Sequence, residues 1–153
     1  MKTRHAVIKV QTKGKYRFVD LTGEIKKIVS EAKIGNGIVN IVSRHTTTAL
    51  LLNENEPLLV EDFTQLVKNL IVFDNRPDYY RHDDLERRRK ICPELACDEC
   101  ENGEAHCRSI LLTNSQTLNI VDGELDLGRW QSILFLELDR DKNREISIMI
   151  MGE

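Results

Sequence analysis

Apolar and polar positions alternate along AVIKVQTKGKYRFVDLT, residues 6 to 22. The period of two, with β-branched and aromatic residues, predicts two strands, and Lys13-Gly14-Lys15 supplies the turn of a hairpin. The period lengthens in TGEIKKIVSEAKIGNG, where Ile25, Ile28, Val29 and Ala32 recur at helical spacing behind Thr22 as N-cap and ahead of Gly35. GIVNIVSRHTTTALLLN returns to β-branched residues and reads as one buried strand or a pair of them. EPLLVEDFTQLVKNLI then brings Leu59, Phe63, Leu66, Val67 and Leu70 to one helical face. Pro57 falls in the first turn, where its missing N–H costs little.

Between Phe73 and Ala105 the periodicity fails, over a length that in a folded domain marks a functional segment or disorder. We expect site architecture there. From Cys107 to Gly152 the pattern predicts about four strands, broken by Asn-Ser, Asp-Gly and Asp-Lys-Asn turns, Gly123 serving turn geometry. Several of these strands are apolar on both faces, so their sheets need cover that two helices cannot supply; oligomerisation through a sheet face is one way to provide it. The order of elements defines an α+β fold, a mainly antiparallel β-sandwich with two helices, in a single domain over residues 1–153.

Composition changes this picture little. With a net charge of -3 there is no global field favouring nucleic acid, and the basic run LERRRKIC reads as a solvated face. No segment approaches the roughly 20 apolar residues of a membrane span, so a soluble, cytoplasmic protein without membrane partners is expected. Cys92, Cys97, Cys100 and Cys107 share one short window. They suit a structural zinc site or one or two disulfides, and free buried thiols are a third reading.

Candidate chemistry centres on three histidines with polar company: His45 in SRHTTTA, His82 in DYYRHDD and His106 in GEAHCRS. Imidazoles from separate segments could build an open zinc site or serve as acid and base near neutral pH. If residues 43 to 53 are extended, His45 and Thr47 share a face; equally, the threonines are residues that strands favour. Asn53 and Glu54 precede the second helix, whose first-turn N–H groups could receive a phosphate close to His45, against the alternative that Asn55 caps them. Arg44 and Arg81 could add anion contacts. Trp130 reads as a large packing residue that anchors the core.

In combination, RHTTTALLLNENEP, YYRHDD, ENGEAHCRS, VDGELDLGRWQSILFLELD and REISIMIMG follow one another as in the YjbQ-like family, the secondary thiamine-phosphate synthases, and the chain resembles that family over nearly its whole length. The matched positions include Asn102, Gly123, Gly128, Trp130, Gln131, Glu137, Asp139 and Arg144. The resemblance implies a trimeric sandwich whose pocket gathers His45, His82 and His106; Arg44, Thr47, Asn53, Glu54 and Asn102 are the candidate substrate contacts. It implies an activity joining a hydroxymethylpyrimidine diphosphate to a thiazole phosphate with release of pyrophosphate, for which magnesium would accompany the diphosphate. A metal-dependent hydrolase with zinc at the histidines, and a non-catalytic trimeric ligand-binding protein, are the alternatives. The cysteine segment CPELACDECENGEAHC departs from the family pattern.

Overall fold

The computed structural model describes residues 1–71, 79–95 and 101–153. In chain order they form β1 (Lys2–Thr12), β2 (Arg17–Asp20), α1 (Thr22–Ala32), β3 (Gly37–Ser43), β4 (Thr48–Asn53), α2 (Pro57–Leu70), α3 (Leu85–Ile91), α4 (Gly103–Leu111), β5 (Ser115–Val121), β6 (Glu124–Leu125), β7 (Ser132–Glu137) and β8 (Lys142–Gly152). A 3₁₀ turn, Pro93–Leu95, follows α3. One sheet has the order β1-β8-β3-β5-β6 and the other β2-β7-β4, and every strand pair is antiparallel. The α+β class and the four late strands agree with the sequence pattern.

Both sheets send side chains into one core. Ile8, Val39, Ile41, Ile120, Ile146, Ile148 and Ile150 of the larger sheet meet Leu50, Ile133 and Phe135 of the smaller, and Ile25 and Val29 of α1 close the cluster. Alternation along β8 explains the larger sheet's inner face: Ile146, Ile148 and Ile150 are buried while Ser147 and Met149 are only half-buried. Burying such side chains is what stabilises the fold, at roughly 1.5–3 kcal/mol for each large aliphatic group.

Several local expectations change. β1 and β2 do not pair: β1 lies against β8 and β2 against β7, so Gly14 turns the chain from one sheet to the other and makes no hairpin. Residues 43 to 53 are not one strand, because β3 ends at Ser43, a turn follows, and β4 begins at Thr48 in the other sheet. Leu21, not Thr22, precedes the first turn of α1, and the Thr22 hydroxyl accepts the Ile133 N–H at 2.8 Å. Lys33 in left-handed backbone ends that helix ahead of Gly35. Glu56, not Asn55, caps α2, its carboxylate accepting the N–H groups of Leu58 and Leu59.

Two helices were unforeseen, α3 and α4. Residues 107 to 111, expected as strand, belong to α4, which buries Glu104, Ala105, Arg108 and Ser109 while Ile110 and Leu111 face solvent. Trp130 is not a core anchor: it is 62% exposed, in the connection between β6 and β7, with the Arg129 guanidinium 4.7 Å from its ring centre.

The chain crosses between the sheets three times at one end of the molecule, after β1, after β3 and after β7. Register confirms that these crossings are neighbours: Thr12 pairs with Lys142, Ser43 with Ile146, and Thr48 and Arg17 both with Glu137. The candidate site is built at this end.

Candidate functional site

Crossover segments cannot bury their backbone in a ladder, so polar side chains must satisfy it. Ser43 Oγ and Thr48 Oγ1 lie 2.6 Å apart, and Thr48 also donates to the His45 carbonyl. Thr47 Oγ1 accepts from Arg144 Nη2 at 3.1 Å, and the Thr47 carbonyl accepts the Leu138 N–H. The threonine run is therefore the fastening of a turn. Thr46 is the exposed member.

Beneath the turn lies a buried ion pair. Glu137, fully buried at the end of β7, takes Arg144 Nε on Oε2 at 2.6 Å and Nη2 on Oε1 at 2.5 Å. Its Oε2 also accepts the Thr12 hydroxyl at 2.8 Å, and Oε1 the Asp139 N–H at 3.0 Å. This fork geometry and full satisfaction are what a charge in such a place requires.

The network continues through Asp139. Its Oδ2 accepts Asn102 Nδ2 at 3.0 Å, and Asn102 Oδ1 stands 3.2 Å from His82 Nε2. A carboxylate can only accept, so the Asn102 amide must point its NH₂ at Asp139 and its oxygen at His82. His82 Nε2 then carries a proton, and in the neutral ring Nδ1 offers the lone pair. The His106 ring stands edge to face with that of His82 at 4.7 Å between centroids. Burial, then the neighbouring His82, holds the His106 pKa below the ordinary histidine value. Burial would raise Asp139, but hydrogen bonds from Arg140 and Asn102 outweigh it and set its carboxyl below the usual range.

The approach of the two histidine segments depends on Gly103. The Asp83 carboxylate accepts the Gly103 N–H at 2.8 Å, and a Cβ at Gly103 would meet Tyr80 Cβ at 2.7 Å. Only glycine lets the backbone of residues 80 to 83 come this close to α4. Three and five residues further on, α4 presents His106 and Arg108. The latter is fully buried, ion-paired to Glu104, and donates to the carbonyls of Val67, Lys68 and Ile71 at the end of α2. Lys15 also pairs with Glu104.

His45 is held differently. Its Nε2 accepts the Glu145 N–H at 2.8 Å, and burial, then Arg144, lowers its pKa. It lines an open pocket of about 420 Å³ with Lys9, Gln11, Asn143, Arg144 and Glu145. Among the described residues no three His, Cys, Asp or Glu side chains are grouped to hold a metal ion. His82 keeps a bare Nδ1, but the lone pair of neutral His45 is taken at Nε2 by the Glu145 N–H, so His45 in this arrangement offers no ligand to an ion shared with His82 and His106. Cys92 and Cys107 are free thiols, while Cys97 and Cys100 lie outside the described residues.

Of the other residues singled out, Arg44 is exposed and paired with Glu145 at 2.8 Å. Asn53 and Glu54 stand at the far end of β4, about 17 Å from Thr48 at roughly 3.3 Å per strand residue. The helix start they precede is not a phosphate site beside His45, and its first-turn N–H groups are taken by Glu56. Arg81 is exposed. Sequence reasoning missed Lys9 and the buried Glu104–Arg108 pair; the i,i+4 spacing of the latter was the available signal.

An α+β protein whose sheet ends carry a histidine pair tied to a buried carboxylate is thus the class defined. The family model described as UPF0047 protein YjbQ-like matches residues 6–153, and the chain belongs to that family. The UPF0047 protein of Methanothermobacter thermautotrophicus is 32% identical over 94% of this chain and 89% of its own. YugU of Bacillus subtilis is 27% identical over 95% and 97%. Among solved structures, a YbjQ-like protein of unknown function from Sulfolobus solfataricus P2 superposes with a TM-score of 0.82 at 28% identity, covering 99% of both chains. A hypothetical protein from Aeropyrum pernix K1 gives 0.81 at 27%, covering all of both.

Proposed function

We propose that this chain is an enzyme of the thiamine-phosphate-synthase type, joining a hydroxymethylpyrimidine diphosphate to a thiazole phosphate at the His82–His106 pair. The observation that carries the reading is that pair, two imidazoles edge to face with one fixed through Asn102 to Asp139. In the transfer, the bond between the pyrimidine methylene carbon and the diphosphate oxygen breaks, and the thiazole nitrogen supplies the electrons of the new C–N bond. Pyrophosphate leaves with the electron pair of the broken bond, so the site must neutralise it. An imidazole of the pair, when it carries the added proton, can give it to the departing oxygen. Magnesium arriving with the diphosphate would supply further neutralisation.

A second reading is hydrolysis, favoured by the lowered pKa of His106, which leaves a neutral base able to take a proton from water. As the resemblance implies, we also propose that the two sheets form a sandwich and that three chains assemble. The exposed apolar side chains Leu66 and Leu70 of α2 and Ile110 and Leu111 of α4 support the assembly.

The test supplies both substrates and follows thiamine phosphate, free thiazole phosphate and pyrophosphate, with solution mass read by light scattering. Thiamine phosphate formed by wild type, reduced about a hundredfold or more in His106→Ala, is expected. Pyrophosphate released without consumption of thiazole phosphate would transfer the reading to hydrolysis. No turnover of either kind, or a single-chain mass, would reject the enzyme or the assembly respectively.

A further inference from the structure

We infer that the pocket beside His45 is an oxyanion subsite for a phosphate or diphosphate group, with the neutral His45 ring donating from Nδ1–H and Lys9 supplying the charge. A backbone N–H can only donate, so the 2.8 Å bond from Glu145 N to His45 Nε2 requires a bare lone pair on that nitrogen. A neutral imidazole has one N–H, which therefore sits on Nδ1. That nitrogen has no partner among the described residues, where no side-chain nitrogen or oxygen is both buried and unpartnered. It is accordingly open to solvent, on a ring that lines the pocket.

The charges around it leave a cation to spare. Arg144 is committed to Glu137 and Thr47, and the Glu145 carboxylate to Arg44. Lys9, directly across the ladder from Glu145, is exposed and has no ion-pair partner among the described residues. Gln11 and Asn143, paired at the next outward-facing positions of β1 and β8, add amide donors at the rim. A pocket with one uncompensated ammonium, one fixed N–H and amide donors at its rim matches an oxyanion. This inference deepens the proposed reaction by placing a phosphorylated end of its substrate, and it rests on that reading only for the substrate's identity.

Histidine with labelled ring nitrogens reads the assignment directly by NMR on the full chain, with inorganic pyrophosphate and inorganic phosphate as separate titrants. Before addition, His45 should show a bare Nε2 and a protonated Nδ1, the resonances being assigned by their loss in His45→Gln. Pyrophosphate should then shift the Nδ1 signal saturably; saturation by phosphate alone, at equal affinity, would define the subsite as taking a single phosphoryl group. Lys9→Ala, a change on an exposed strand position, should weaken binding about tenfold or more. His45→Gln should do the same, because its amide oxygen can accept the Glu145 N–H while no donor remains at the δ position. His45→Asn, which keeps a δ N–H, should stay within a few-fold of wild type. A proton found on Nε2, an Nδ1 signal unmoved by both anions, or wild-type affinity in His45→Gln would overturn the inference. Binding is read without turnover, so an intact subsite in a chain that makes no thiamine phosphate would sink the proposed reaction and leave this one standing.

Discussion

His45 and His106 share an electrostatic condition although different segments hold them. Burial is the first cause of the lowered pKa in both, and electrostatic repulsion from a neighbour, Arg144 for one and His82 for the other, is the next. A histidine whose folded pKa is depressed binds fewer protons in the native state than in the unfolded chain. Stability is therefore complete above the unfolded value of about 6.5 and is lost as pH falls through that value towards the folded one. Asp139, also depressed, adds a further loss at lower pH, as its carboxyl is protonated below the ordinary range of about 3.9. Urea midpoints measured from pH 8 to pH 3 should fall in two stages. The double variant His45→Gln/His106→Gln should flatten the first stage and keep the second. Both rings are only partly buried, so the first stage should be modest. A midpoint that rises on acidification through pH 6 would contradict the assignment.

At the scale of elements, α4 decides how the histidines meet. Gly103→Ala should raise intrinsic helix propensity yet destabilise the protein, by about 1–3 kcal/mol, because the new methyl meets Tyr80 and pushes residues 80 to 83 away. Denaturation and the contact between the His82 and His106 rings, read by NMR, should both register it; an Ala variant as stable as wild type with that contact intact would show the approach to be slack. The same helix explains where the sequence misled. Its buried face is Glu104, Ala105 and Arg108, while Ile110 is 85% exposed, so the usual polarity of an amphipathic helix is inverted and apolar residues suggested a strand. The strands themselves were legible, since β8 alternates openly. Their pairing was not: the turn at Gly14 is visible in the sequence, but which sheet the next strand joins depends on distant β7 and β8. His82 and His106 stood out as chemical groups. Glu137 was marked only by the resemblance and Arg108 not at all, because charged residues are rarely buried and only their partners reveal the exception.

For the whole molecule, the consequence of three crossovers at one end is that two sheets with a shared apolar core are also tied by charge. Glu137 belongs to the smaller sheet, and its partners Arg144 and Thr12 belong to the larger. Hydrophobic contact between sheets is non-directional and tolerates sliding, whereas a bidentate guanidinium–carboxylate pair fixes one register. The Asp139 N–H and the Thr47 hydroxyl hang from the same pair, so the site's geometry inherits that register. Glu137→Gln should therefore cost about 3–5 kcal/mol, the range for leaving a buried charge without its partner. The double variant Glu137→Gln/Arg144→Met, which removes both charges, should recover much of that stability. It should not recover activity, since the Thr47 hydroxyl loses the guanidinium that holds it. Equilibrium unfolding and turnover in the assay of the proposed reaction, on the two variants, separate these terms: restored turnover in the double variant would show that the pair stabilises the sheets without positioning the site.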